Sequence, residues 1–323
     1  MVIIMAKSDK NVLFITEKWC DADPKKGLTN NYHNLFSSLQ NSGLDVDFAI
    51  VHMDEYTRAK NQHIDNLIPQ VCDTYKPDLT IFSFLGTSPL NPTMKSVDYI
   101  KSKNSKILMM WPDVSETCGI PQIREFKDHT DLHVCWGSEN NVPAEITEQI
   151  LWLWAPQDEK LYYPVEFEEQ GISASFLGSM RYKERQDYIN FLLNKDVDVV
   201  VAGGQRENRL DATEYASIMR RSKIGINFPW SPFGFDQCKG RVWEILASRS
   251  LLLERENIAT KRHLKPGEHY VEYSGTNDLV EKIEYYLNND EERIQIATNG
   301  YNEYIKNFSS KVFWTTVLEK VNV

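Results

Sequence analysis

The feature that most constrains this chain is a rhythm: apolar runs of strand length recur between segments of helix length, in two successive series. The first series is NVLFIT (11–16), DVDFAIV (45–51), LTIFSFLG (79–86), KILMMW (106–111) and LHVCWGS (132–138). The second is ISASFLG (172–178), VDVVVAGG (197–204), IGINF (224–228) and SLLLE (250–254). Runs with so little polar alternation suit strands covered on both faces, which is the condition of a parallel sheet. The segments between them read as helices; NNYHNLFSSLQNSG (30–43), closed by Gly43, is one. Strand and helix in strict alternation predict an α/β fold of doubly wound parallel sheets. Two series predict two such domains, with a cleft between them.

The length of 323 residues gives each domain enough chain for its own core. Between the series lies APQDEKLYYPVEFEEQG (155–171), acidic, with two prolines and no clean period, which reads as a linker. The expected division is therefore an N-terminal domain over 1–160 and a second domain over 161–309. The hydrophobic fraction of 41% and charged fraction of 25% are those of a globular protein. A formal net charge of −10 argues against broad nucleic-acid binding, since affinity for a phosphate backbone needs a surplus of Lys and Arg. The cysteines Cys20, Cys72, Cys118, Cys135 and Cys238 are scattered, without a C-x-x-C pair. They read as reduced thiols in a cytoplasmic protein with no zinc site. The apolar runs are too short to cross a bilayer, and MVIIM at the start is too short for a signal peptide or a membrane helix.

Within this frame KGRVWEILASRSLLLERENIATKRHL (239–264) carries the most chemistry. It reads as a short helix with Val242, Ile245 and Leu246 as its apolar stripe, then a buried strand, then a second helix start. Glu244 stands at its centre. An ionised carboxylate offers two acceptor oxygens and so matches the two hydroxyls of a ribose. The alternative is an acid placed in the first helical turn to suit the macrodipole alone. Upstream, EYASIMRRSKIGINFPWSPFGFDQC reads as an amphipathic helix (Tyr215, Ile218, Met219), a strand ending at Phe228, and a loop rich in Pro, Gly and aromatics.

Together with SFLGSMRYKER and the terminal YYLNNDEERIQIATNGY, these segments resemble the C-terminal half of GT-B glycosyltransferases, most closely the CgeB-like group of family-1-type transferases. The resemblance runs from about Ser173 to Ser309. It implies two Rossmann-like domains facing a central cleft, the first binding the acceptor and the second a sugar nucleotide. It also implies a C-terminal helix, 310–323, that crosses back to the N-terminal domain; Val312, Phe313, Thr316, Val317 and Val321 would form its apolar face.

Open parallel sheets bind ligands at the carboxyl ends of their strands, so the loops after the strands are where site residues are sought. After the first strand, Gly27, Thr29 and Asn30 lead into a helix whose free N–H groups favour an anion; a plain helix start explains them equally. The resemblance places such a glycine loop toward the donor phosphates. After ISASFL, Gly178 permits close backbone approach, Ser179 follows, and Arg181 and Arg185 can fork onto a diphosphate. By resemblance Arg181 neutralises the leaving nucleoside diphosphate, while Arg185 has Glu184 and Asp187 as alternative partners. Gly203 and Gly204 suit either a nucleobase lying on the backbone or a tight turn.

Retaining GT-B enzymes often carry two acids eight positions apart, the first near the transferred sugar. Asp236 stands eight before Glu244, although Pro232, Phe233 and Gly234 lie further from Glu244 than in the compact form of that motif. Lys239 and Arg241 are further candidates for phosphate contact, and Phe228 for the nucleotide. In the first domain Asp113, after a strand end, is placed to accept a proton from an acceptor hydroxyl, or else to form a turn. Asp21 and Asp23 are the one loop match to a D-x-D metal pair, His33, His52 and His133 are isolated, and no metal site is expected. The implied activity is metal-independent transfer of a sugar, of the hexosyltransferase type, from a nucleoside-diphosphate sugar to an unidentified acceptor, with no further cofactor. A sugar-nucleotide epimerase on the same fold, or a silent sugar-nucleotide or glycan-binding protein, is the alternative.

Overall fold

The computed structural model of the protein describes residues 8–112, 119–137, 139, 142–203, 210–231 and 234–323, and the backbone of 3–5. The chain divides into two compact units, Met1–Trp154 with Ser310–Val323, and Ala155–Ser309.

The first unit is built on a seven-stranded sheet. Its strands are β1 (Ile3–Met5), β2 (Asn11–Thr16), β3 (Asp47–His52), β4 (Leu79–Ser83), β5 (Lys106–Pro112), β6 (Leu132–Trp136) and β7 (Ile150–Trp152). Their order is β1-β3-β2-β4-β5-β6-β7, with every pair parallel except β1 with β3. Alternate residues of each strand supply opposite faces. Leu13 and Ile15 join Ala49 and Val51 in one core, while Val12 and Phe14 join Phe48 and Ile50 in the other. The first core is covered by α1 (Met53–Lys60), α2 (Ile68–Tyr75), α3 (Met94–Ser102) and α4 (Gly119–Phe126), whose apolar stripes supply Ile68, Val97 and Ile123.

The chain leaves β2 through a loop into helical turns, Tyr32–Ser37 in a π-type run and Ser38–Asn41 as α-helix, and Gly43 then turns at φ +75°. The second unit has a five-stranded, wholly parallel sheet of β8 (Ile172–Leu177), β9 (Val199–Ala202), β10 (Ser222–Asn227), β11 (Leu251–Arg255) and β12 (Val271–Tyr273), in the order β12-β11-β10-β8-β9. Its longer helices are α5 (Lys183–Asn194), α6 (Ala212–Arg221), α7 (Gly240–Ala247), α8 (Thr276–Asn288) and α9 (Asp290–Asn307). Helix α6 starts on a full capping box, in which Asp211 accepts from Thr213 and Glu214 and the Glu214 side chain answers the Asp211 N–H. Helix α7 lies tightly on the sheet, because a Cβ at Gly225 would come within 2.6 Å of Ile245.

The last helix, α10 (Ser310–Val321), belongs to the first unit, where Phe313, Trp314, Val317, Leu318 and Val321 enter the second core. Trp314 meets Phe14 edge to face at 5.8 Å, and its indole N–H donates to Ser38 Oγ at 2.9 Å. The buried face thus turns on Trp314 and Leu318, while Val312 and Thr316, placed on it by the sequence reading, are half-exposed.

Candidate functional site

The second sheet reverses its winding direction once. In the second unit the chain runs from β8 to β9 on one side and then to β10 on the other, so the switch point lies between the carboxyl ends of β8 and β10. Such a point opens a crevice where open α/β sheets hold their ligands. Arg241 occupies it. Its Nε donates to the carbonyl of Leu177, the last residue of β8, and its Nη1 donates to Asn227 Oδ1, at the end of β10, at 2.7 Å. The guanidinium packs 4.8 Å from the centre of the Phe176 ring. Gly178 is what makes room for it, since a Cβ at that position would lie 2.1 Å from Arg241 Nη2.

Glu244, one turn further along α7, sits beside this arginine. Tyr215 on α6 donates to Glu244 Oε2 at 2.8 Å and lies 3.1 Å from the Leu177 carbonyl. Burial raises the Glu244 pKa above the usual carboxylate range, and Arg241 and the Tyr215 hydrogen bond oppose that rise. Burial and the nearby Glu244 push the Tyr215 phenol up. The helix starts at Gly240, so Glu244 stands beyond its first turn and the macrodipole alone does not account for it. Gly203, at φ +83°, closes the same corner, its Cβ direction 3.5 Å from the Gly178 N and 3.6 Å from the Tyr215 ring.

At the start of α7, Lys239 donates to Gln237, which is wholly buried. Gln157 is also wholly buried and donates to the Ala155 carbonyl at 3.1 Å and toward that of Gly240 at 3.5 Å. Asp236 stands apart from Glu244. Arg255, at the end of β11, grips Asp236 with Nη2 at 2.9 and 3.1 Å, and its Nη1 donates to Glu184. Burial raises the Glu184 pKa and the Arg255 charge opposes the rise. The two acids of the eight-residue spacing therefore have separate partners, one an arginine clamp and the other a tyrosine.

Behind Arg241 lies a buried carboxyl that the sequence reading did not single out. Glu254 is wholly buried and accepts from Asn227 at 2.7 Å, Asn257 at 3.0 Å and Thr260 at 3.2 Å. Burial moves its pKa up to about 7 against these bonds. Asn227 and Glu254 are register partners on neighbouring parallel strands, which is why their side chains meet.

The GSMRYKER loop holds Arg181 at the surface, stacked 4.7 Å over the Tyr182 ring and donating to its hydroxyl. Arg185 is buried; its Nη1 donates to the Ser179 carbonyl at 3.0 Å, and its guanidinium lies 4.8 Å from the Tyr182 ring. Glu184 and Asp187, the alternatives for Arg185, pair instead with Arg255 and Lys183. Phe228 is buried against Phe176 at 4.9 Å and serves the core.

In the first unit Gly27, at φ +76°, closes the short 3-10 turn Pro24–Lys26. Thr29, just beyond, donates to the buried Glu17 at 2.8 Å, whose pKa burial raises. Of the three isolated histidines, His52 and His133 are buried, and burial lowers both to about 4. Asp21 pairs with Lys26, and Asp23 accepts from the Lys25 N–H. Asp113, Gly204, Pro232, Phe233 and Cys118 lie outside the described residues. Among the described residues no three His, Cys, Asp or Glu side chains cluster as metal ligands, and no helix is long and apolar enough to cross a membrane.

The family model described as glycosyl transferase-like matches residues 168–319. Solved structures resemble the chain over nearly all of its length. An α-glucosyltransferase in complex with UDP-glucose and DNA containing an abasic site is 9% identical, with a TM-score of 0.64, and the match covers 97% of this chain and 99% of that one. HepE of Anabaena in complex with UDP and glucose is 11% identical, with a TM-score of 0.58 and the same coverage. Sucrose-phosphate synthase from Thermosynechococcus elongatus is 11% identical, with a TM-score of 0.58, over 97% of this chain and 98% of that one. No curated protein matches the chain in sequence. The protein has the GT-B fold of these structures, and its residues 168–319 are similar to the glycosyl transferase-like family.

Proposed function

We propose that the protein transfers a hexose from a nucleoside-diphosphate sugar to an acceptor hydroxyl, without a metal ion, and that the unit of 155–309 binds the donor. The observation that carries this reading is the placement of Arg241 at the switch point of the second sheet, with the Glu244 carboxylate beside it and Gly178 clearing the backbone. The diphosphate would lie against Arg241 and Lys239 at the start of α7, with Arg181 answering charge from the exposed loop. Glu244, its Oε2 held by Tyr215, would take the ribose hydroxyls. The structural neighbours HepE and the α-glucosyltransferase are in complex with UDP and glucose and with UDP-glucose, so UDP is the first nucleotide to test.

The chemistry asked of such a site is stabilisation of negative charge on the departing diphosphate. A guanidinium fixed by two protein acceptors supplies it without reorganising in the transition state. The first unit would bind the acceptor, with Asp113 as the general base. Free thiols at Cys20, Cys72, Cys135 and Cys238 fit a cytoplasmic enzyme.

The reading is tested by titrating UDP, ADP and GDP, and then their hexose conjugates, against the folded chain. Binding of one diphosphate with loss of affinity in Arg241→Ala supports it; a chain that binds none of them refutes it. Product analysis with donor alone separates transfer from epimerisation.

A further inference from the structure

We propose that Glu254 is a positioning residue for the donor site: through the amide of Asn227 it fixes the direction in which Arg241 presents its guanidinium. The inference rests on the reading of Arg241 as the diphosphate partner.

The path is short and each link is a hydrogen bond. Glu254 Oε2 accepts from Asn227 Nδ2 at 2.7 Å, and Asn227 Oδ1 accepts from Arg241 Nη1 at 2.7 Å. An amide side chain has one donating and one accepting end. With its NH2 turned to a carboxyl oxygen, Asn227 has to turn its carbonyl oxygen to Arg241. Flipped the other way, it would set an N–H against the guanidinium and an oxygen against the carboxyl, a double mismatch inside a buried cluster. Asn227 and Glu254 are both wholly buried, so water does not make good such a mismatch.

The backbone at this point is fixed as well. Asn227 and Glu254 are register partners on β10 and β11, and Tyr273 on β12 donates to the Asn227 carbonyl at 2.9 Å. The other end of the carboxyl is held by Asn257, which also bonds the Gln237 carbonyl at 3.0 Å, and by Thr260. Thr260 Oγ1 can accept as well as donate, so a proton on Glu254 Oε1 has a partner and Oε2 remains an acceptor in either protonation state. With Nε on the Leu177 carbonyl and Nη1 on Asn227, the guanidinium plane is set at two points, and Nη2 lies over Gly178. A fork set in this way meets a diphosphate with little ordering left to do.

The test is a double-mutant cycle read by calorimetry with UDP on the full chain, or with ADP or GDP if the wild type prefers one of those. Glu254→Met removes the acceptor at similar volume, and the expected result is a loss of affinity of about tenfold. Glu254→Gln keeps an acceptor for Asn227 and can donate to Thr260, so it should stay within about threefold of wild type. In an Arg241→Ala background Glu254→Met should cost nothing further, whereas a purely structural role would cost the same factor in both backgrounds. Should Glu254→Met not fold, Glu254→Asp draws the carboxyl back from Asn227 and should show the same pattern with a smaller loss. A folded Glu254→Met or Glu254→Asp with wild-type affinity, or equal losses with and without Arg241, overturns the inference. An Arg241→Ala protein that binds the diphosphate normally overturns the parent reading instead.

Discussion

Replacement of Arg241 by alanine separates the proposed site from a mere packing contact, because the proposal adds a ligand-binding job to the internal contacts of that side chain. Inside the protein it satisfies the Leu177 carbonyl and Asn227 Oδ1 and covers the Phe176 ring. Its removal strands the Asn227 oxygen in a fully buried position, which costs about 1–3 kcal/mol of stability. A domain with the usual 5–15 kcal/mol in hand stays folded after that loss, roughly speaking. Toward the ligand, loss of the charge-assisted bonds to a diphosphate costs about 1.5–3 kcal/mol, which is roughly 10- to 150-fold in Kd. Urea unfolding measures the first quantity and calorimetry with UDP the second. Arg241→Lys keeps the charge, but a single ammonium cannot hold both internal acceptors and still reach out, so it should recover only part of the affinity. A folded Arg241→Ala protein whose UDP affinity stays within about twofold of wild type would refute the assignment, whatever happens to its stability.

Further outcomes are expected at the neighbouring residues. Gly178→Ala drives a Cβ into Arg241 Nη2 and should weaken UDP binding, with a loss of stability no larger than that of Arg241→Ala, as calorimetry and urea unfolding together will show. Glu244→Ala should weaken UDP binding by about 1.5–3 kcal/mol with Glu244→Gln between, and a folded Glu244→Ala protein with unchanged UDP affinity in calorimetry would remove the ribose role. Transfer should persist in excess EDTA, and Arg181→Ala should lower kcat more than it raises KM; rescue of a chelated enzyme by magnesium, or a change in KM alone, would contradict these two expectations respectively. The Glu254 carboxyl, raised by burial to about 7, binds a proton in the folded state that the unfolded chain releases above its ordinary value. Its contribution to stability is therefore full below about pH 4.5 and falls by about 3 kcal/mol as pH rises to 7, so urea unfolding of wild type should lose ground to Glu254→Gln across that window.

The long buried strands were legible because their composition has one physical cause, a sheet covered on both faces. NVLFIT reads as a strand over 11–16 and is β2 at Asn11–Thr16, and ISASFLG holds β8 at Ile172–Leu177. The strands missed, β1, β7 and β12, are three residues each, and each is at a sheet edge, where a run is too brief for any period to register. The candidate site was legible only where a residue acts through its own element. Gly178 is picked out by the strand end it occupies and Arg241 by its place just before Glu244, while the contact that joins them spans two strand–helix units and leaves no spacing to read.

Glu254 is hidden from pattern reading for the same reason. SLLLE reads as the end of a hydrophobic strand, and a glutamate there looks like the first solvent-facing residue. Only the pairing of β10 with β11 sets it opposite Asn227, 27 positions earlier in the chain, and only the fold of α7 over the sheet brings Arg241 to that amide, 14 positions later than Asn227. Tyr215 reaches Glu244 across 29 positions in the same way, from a helix where its ring had been counted as apolar surface. A parallel sheet aligns strand ends that are distant in sequence, and it does so on the edge where ligands bind. The polar groups gathered there are therefore the part of a doubly wound protein that pattern reading recovers least, even when every strand that carries them has been found.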